Sequence, residues 1–212
     1  APIKLDGTGL TLHDHDRYDY AVAERKVPAT KDLELTFTLI PHQAGHGTMQ
    51  IEFLDDKGIA CSRVDIDSDS VVAGKTGARF SRLGRYVAGD TLNIHVRLDA
   101  PNRMAYCRLT KGADVGPAEW TKKDRRIFMA PVHAVERIRF RTGDRRRMPN
   151  IDTPADWHGI LPEAGDTVSD ASWTIVRMQT HSLDADSALA LLHSDDYKHY
   201  ADAFGQSDTA WT

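Results

Sequence analysis

LELTFTLI, residues 33–40, alternates strictly: Leu33, Leu35, Phe37 and Leu39 fall on one side, Glu34, Thr36 and Thr38 on the other. Successive side chains of an extended chain point to opposite faces, so the stretch reads as a half-buried β-strand with an apolar underside.

The same period recurs outward in both directions. In TMQIEFL, residues 48–54, Met49, Ile51 and Phe53 oppose Thr48, Gln50 and Glu52. In SRVDID, Val64 and Ile66 oppose Arg63, Asp65 and Asp67. In TLNIHVRLD, Leu92, Ile94, Val96 and Leu98 oppose Asn93, His95, Arg97 and Asp99. In ERIRFRTG, Ile138 and Phe140 oppose Arg137, Arg139 and Arg141, and WTIVRMQT at 173–180 reads as a last strand. The separators carry turn chemistry: DDKG at 55–58, DSDS at 67–70 and DAPNR at 99–103. Short strands at close intervals, with no amphipathic helix between them, predict an all-β fold, an antiparallel β-sandwich. Its expected core is Leu35, Phe37, Ile51, Phe53, Ile94, Val96, Ile138 and Phe140, buried between two sheets.

Two segments depart from that pattern. Residues 143–172 hold Pro149, Pro154 and Pro162 with several Gly and Asp, and read as a long loop. Residues 184–204 read as a helix, capped by Asp186 or Ser187, with Ala188, Leu191, Leu192 and Tyr197 on one side. The expected organisation is a sandwich over 1–183 and a C-terminal helix or linker over 184–212.

A chain of 212 residues buries a sizeable core without staples. The net charge of −4 gives no global basic field to recruit nucleic acid, and no apolar run approaches a membrane span. Cys61 and Cys107 lie in strand-like runs outside any CxxC pair, so they read as buried free thiols, with a disulfide as the alternative.

The order LELTFTLIP, GTMQIEFLDDKG, DIDSDS, GRYVAGDTLNIHVRLD and NRMAYCRL resembles the laminin-G-like or concanavalin A-like jelly roll. Gly84, Tyr86, Gly89, Leu92, Ile94 and Val96 match the Gly-x-Tyr segment that leads into a long strand in that family. VERIRFRTG followed by a Pro-rich loop resembles the version attached to bacterial polysaccharide-degrading enzymes, and HSLDADSALALLHSDDYKHYADAF resembles its junction to a catalytic barrel. The resemblance implies a carbohydrate-contacting or bracing accessory module of an extracellular or periplasmic enzyme. Its partners would be a polysaccharide or oligosaccharide and a catalytic domain of the same polypeptide. A structural or protein-interaction module is a further alternative, since such motifs specify fold better than activity.

Five constellations bear on chemistry. Arg137, Arg139 and Arg141 share one strand face, and Arg145, Arg146 and Arg147 follow. Guanidinium forks take carboxylates in bidentate fashion, so this row fits either a uronate polymer or the acids of neighbouring strands. Asn93, His95 and Arg97 are similar to the Gln-Ile-His element of jelly-roll alginate lyases. That likeness implies a lyase alternative in which Arg97 neutralises a uronate carboxyl while His95 and Tyr106 (or Tyr86) move protons; the plain alternative is a solvated strand face. The Tyr-x-Lys-x-Gly strand of those lyases has no counterpart in this sequence. At HDHD, His13 to Asp16, adjacent residues of a strand point apart, so no transition-metal site is expected. Asp65, Asp67 and Asp69 are spaced like the start of a calcium loop, but Ser70 stands where Gly is required and Thr76 where Glu is, which leaves an Asp-rich hairpin. No cofactor is expected, with calcium as the one alternative. Trp120 and Trp157, in polar loop-like contexts, are candidate sugar-stacking platforms, and Trp173 reads as core.

The sequence carries no phosphate loop, GxSxG elbow or HExxH motif. Catalysis by the isolated chain stays open, with a polysaccharide lyase or glycoside hydrolase as its form.

Overall fold

The computed structural model describes residues 3–14, 21–77, 79–113, 119–142 and 170–183. It contains thirteen strands: β1 (Ile3–Asp6), β2 (Gly9–Asp14), β3 (Val22–Thr30), β4 (Asp32–Pro41), β5 (Met49–Leu54), β6 (Ala60–Ile66), β7 (Val71–Thr76), β8 (Arg79–Arg85), β9 (Leu92–Asp99), β10 (Met104–Lys111), β11 (Arg125–Ile127), β12 (Val135–Thr142) and β13 (Ala171–Ser182). They form a seven-stranded sheet, in the order β1-β2-β13-β4-β9-β10-β11, and a six-stranded sheet, in the order β3-β12-β5-β6-β7-β8. Every strand pair in both sheets is antiparallel. The expected all-β sandwich is what forms. The expected helix at 184–204 and nearly all of the expected loop at 143–172 lie outside the described residues.

The alternation of residues 33–40 becomes the inner face of β4. Leu33, Leu35, Phe37 and Leu39 are buried, while Glu34, Thr36 and Thr38 turn outward. All eight expected core residues are at most 2% exposed. Phe37 bridges the layers, meeting Phe140 edge-on (centroids 5.5 Å apart, planes at 84°) and Phe53 at 6.1 Å. Such pairs add about 0.5–1.5 kcal/mol beyond their burial.

The hairpins follow the turn chemistry. Asp55 Oδ1 accepts from the N–H groups of Lys57 and Ile59, and Asp67 Oδ1 from those of Asp69 and Val71. A short carboxylate thus reinforces each turn beside its backbone bonds, Gly58 N–H to the Asp55 carbonyl and Ser70 N–H to the Asp67 carbonyl. Asp67 is spent on its own turn and Asp65 ion-pairs with Arg63, consistent with the hairpin reading of DIDSDS.

Strands at the N-terminus complete the sheet. Gly9, at φ 130, crosses β13 so closely that a Cβ there would meet the Ile175 carbonyl oxygen at 2.3 Å. Beside it β13 is bulged between Ile175 and Arg177, which leaves Val176 outward at 43% exposure.

Candidate functional site

The polar face of the six-stranded sheet is a charge ladder. Register sets Glu24 opposite Arg139, Arg139 opposite Glu52 and Glu52 opposite Arg63, alternating in sign across four strands. Arg139 Nε donates to Glu52 Oε2 at 2.8 Å; Arg141 and Arg63 approach the same carboxylate at 3.6 and 3.9 Å. Arg137 reaches Glu24 at 3.3 Å and donates to the carbonyls of Asp55 and Asp56. Of the two readings of the arginine row, the geometry realises pairing with strand neighbours. Gln50 and Glu52, on the polar side of the period-two pattern, are nonetheless buried (0% and 3% exposed). Opposite charges placed side by side by register offset much of the cost of removing them from water.

The outer face of the seven-stranded sheet differs. The alternative of a solvated face for Asn93, His95 and Arg97 is corrected: Asn93 and His95 are only 6% and 2% exposed. Asn93 accepts from Thr38 Oγ1 and donates to the Gly112 carbonyl, so both ends of its amide are used. His95 hydrogen-bonds through Nδ1 with Thr36 Oγ1 (3.1 Å) and through Nε2 with Thr110 Oγ1 (3.0 Å). Arg97 forks onto Asp32, Nε to Oδ1 at 2.9 Å and Nη2 to Oδ2 at 2.7 Å, which holds its pKa above the usual arginine value.

Tyr106 pairs with Arg97 across the ladder, so the structure brings His95, Arg97 and Tyr106 onto one face. Tyr86 stands elsewhere, its hydroxyl donating to the Asp67 carbonyl and its pKa pushed up to about 12 by burial. The histidine and arginine of the trio are already hydrogen-bonded within the sheet, so each would have to exchange a protein partner to meet a substrate.

Trp120 lies over this same face. It follows β10 in sequence, yet its Nε1 donates to Glu34 Oε1 on β4 at 2.8 Å, across the width of β9. Its ring sits 5.8 Å from that of Tyr106, tilted by 47°. The Arg97 guanidinium stands over Tyr106 and that of Arg108 over Trp120, each at 5.8 Å. The segment is anchored by Asp124, which accepts from Arg108 Nε at 3.1 Å and from Thr121 N–H and Oγ1 at 2.8 and 2.7 Å. Arg108 first, with the Thr121 bonds, holds the Asp124 carboxyl down at about 2. Both rings remain half-buried, so the face presents two fixed aromatics among ordered donors and acceptors.

The tryptophan and arginine candidates therefore do not converge: Trp120 is on one sheet, Arg137, Arg139 and Arg141 on the other. Trp157 and Arg145–Arg147 lie outside the described residues, as do His15 and Asp16 of HDHD, while His13 and Asp14 end β2. Among the described residues no group of three His, Cys, Asp or Glu side chains is placed to hold a metal. Sequence reasoning passed over Glu34, Arg108 and Asp124, which fix Trp120; their roles depend on which strands become neighbours.

The two-layer antiparallel sandwich is of the concanavalin A-like, jelly-roll kind. A family model described as "Sialidase-like, CBM domain" matches residues 1–157. The chain belongs to this family of sialidase-like carbohydrate-binding modules, and it is a carbohydrate-contacting accessory module. A solved sialidase is 39% identical over 98% of the chain with a TM-score of 0.72, and the chain spans 18% of that protein's length. A Crh5 transglycosylase in its apo form shares the fold alone: 10% identity, a TM-score of 0.51, and coverage of 87% of this chain and 77% of that one. No curated protein matches the chain.

Proposed function

We propose that the module meets glycan on the outer face of the seven-stranded sheet, with Trp120 and Tyr106 as the stacking surface and Arg97, Arg108 and Glu34 around it. The observation that carries this reading is the Trp120 indole, held half-exposed by one hydrogen bond to Glu34 and an anchored turn. A ring fixed beforehand costs little entropy when a sugar's C–H face packs on it. The parent is a secreted carbohydrate-active enzyme, extracellular or periplasmic, whose catalytic domain belongs to the same polypeptide. The 39% identical sialidase, of which this chain spans a fifth or less, supports a glycosidase parent.

Exposed stacking and single polar bonds are individually small, so the affinity is expected to be on the order of 10–1000 μM. Retarded migration in polysaccharide-loaded gels tests it. Trp120→Ala is expected to abolish the retardation with little change in thermal midpoint; retardation equal to the parent's overturns the proposal. No rise in ultraviolet absorbance from a new C=C bond is expected on a uronate polymer, because the His95 ring is buried and bonded within the sheet, out of reach of a sugar. Such a rise, lost in His95→Ala, would establish the lyase alternative instead.

A further inference from the structure

β9 turns into β10 through Ala100 to Arg103, and residues 128–134 carry the chain from β11 in one sheet to β12 in the other. These two segments and Lys31, between β3 and β4, enclose an open groove of about 510 Å³. Its walls are Ala100, Pro101, Pro131 and Val132; its polar groups are Lys31, Arg103 and His133. Among the described residues no carboxylate lines it.

The three basic side chains contrast with the arginines of the sheet faces. Arg97, Arg108, Arg137 and Arg139 each fork or ion-pair with a carboxylate. The side chains of Lys31, Arg103 and His133 have no hydrogen-bond or ion-pair partner among the described residues. Two acids nearby in sequence are occupied: Asp32 by the Arg97 fork, and Asp99 by Asn102, whose N–H and Nδ2 donate to its two oxygens at 3.1 and 2.8 Å.

The groove is also preformed. The Ala100 N–H donates to the Lys31 carbonyl at 2.8 Å, that of Arg103 to the Ala100 carbonyl at 3.1 Å, and that of Phe128 to the Arg103 carbonyl at 3.0 Å. Arg103 itself sits at φ 54, a left-handed conformation that a long side chain adopts only where its surroundings impose it. Proline walls and tied backbones leave little to order on binding, and a concavity of this size with convergent basic groups can hold a small charged ligand.

We propose that this groove binds an anionic substituent of a glycan, a carboxylate or a sulfate ester, with Lys31 and Arg103 as its cationic partners and the His133 ring as a hydrogen-bond donor. The proposal rests on the glycan-contact reading and adds to it a second subsite, away from Trp120, that selects for charge. The proline and alanine walls pack against the C–H face of the sugar ring, and the basic groups donate hydrogen bonds to the oxyanion.

The full 212-residue chain, followed by nuclear magnetic resonance, tests this with three probes at constant ionic strength: trigalacturonate for carboxylate, galactose 6-sulfate for sulfate ester, and a neutral trisaccharide. Saturable shifts of the His133 ring and the Arg103 amide are expected with an anionic probe and not with the neutral one, and the tighter of the two anionic arms identifies the source. Arg103→Asn tolerates the left-handed backbone and removes the guanidinium; Lys31→Ala removes a second charge without touching a buried group. Each is expected to weaken the anionic arm by about tenfold, the loss of one charge-assisted bond, at unchanged thermal midpoint. No saturable shift with either anionic probe, or shifts that survive in both variants, overturns the proposal. Trp120→Ala separates the two readings: a silent groove with Trp120-dependent gel retardation removes the groove alone, and a groove that binds in Trp120→Ala stands apart from the platform.

Discussion

Trp173, on β13, stands directly opposite Leu12, on β2, in the antiparallel ladder between the two strands. On its other side it pairs with Pro41 of β4, so the chain's C-terminal strand lies between two N-terminal ones and completes the seven-stranded sheet. The family match ends at residue 157, before this strand begins. A chain cut at residue 157 would leave the β1–β2 hairpin without its neighbour and expose the flank of β4. Cooperative thermal unfolding is expected for residues 1–183 and no cooperative transition for residues 1–157, as followed by circular dichroism. Trp173→Ala in the full chain, at a fully buried site, is expected to cost about 3–5 kcal/mol in urea denaturation.

Arg139→Ala acts on stability first. It withdraws the shortest partner of Glu52, a carboxylate 3% exposed, and leaves Arg141 and Arg63 at 3.6 and 3.9 Å. A loss of about 2–4 kcal/mol is expected, below the full effect of stranding a buried charge because two cations remain. Glu52→Gln combined with Arg139→Met should recover part of it. An Arg139→Ala midpoint equal to the parent's would show that the ladder contributes nothing.

Cys61 and Cys107 are both free and buried, as the sequence reading had them in preference to a disulfide. Burial raises both thiols, that of Cys107 to about 12 and that of Cys61 further still. The thiolate is the reactive form, so neither should react with a disulfide reagent at pH 8 in the native state, and both should react in denaturant. Rapid labelling of the folded protein would contradict this placement.

Acid should release the Trp120 segment before it unfolds the core. Asp124 titrates at about 2 when folded against 3.8 when unperturbed, chiefly through Arg108. A carboxylate with a depressed folded pKa contributes stability that is present above its unfolded value and lost as pH falls through the folded one. Trp120 fluorescence should therefore change between about pH 4 and pH 2, and Arg108→Gln should move that change to higher pH. A transition outside this window would assign the anchoring to another group.

The alternation in residues 33–40 translated directly into β4, because only side-chain period was at stake. The faces of β5 and β9 were less legible for a physical reason. Whether Glu52 or His95 meets water depends on what register sets beside it, and Arg139, Thr36 and Thr110 come from 87, 59 and 15 residues away. Trp120 was legible as a candidate from its polar context, but its Glu34 partner, 86 residues distant, was not. Strand β3 contains Pro28, which ladder chemistry disfavours; the structure admits it because β3 is an edge strand.

The placement of β1 and β13 in the seven-stranded sheet also decides how the module bears tension. Ile3 lies level with Leu12 and Trp173 at one end of the sandwich, and Ser182 lies level with Leu33 at the other. A pull between Ile3 and Leu183 therefore runs along the strand axes, across hydrogen bonds that lie perpendicular to it. The rows of bonds flanking β13 share that load and yield by sliding together, where a sideways pull would open them one at a time. Loaded between these two points, the domain is pulled in its strong direction.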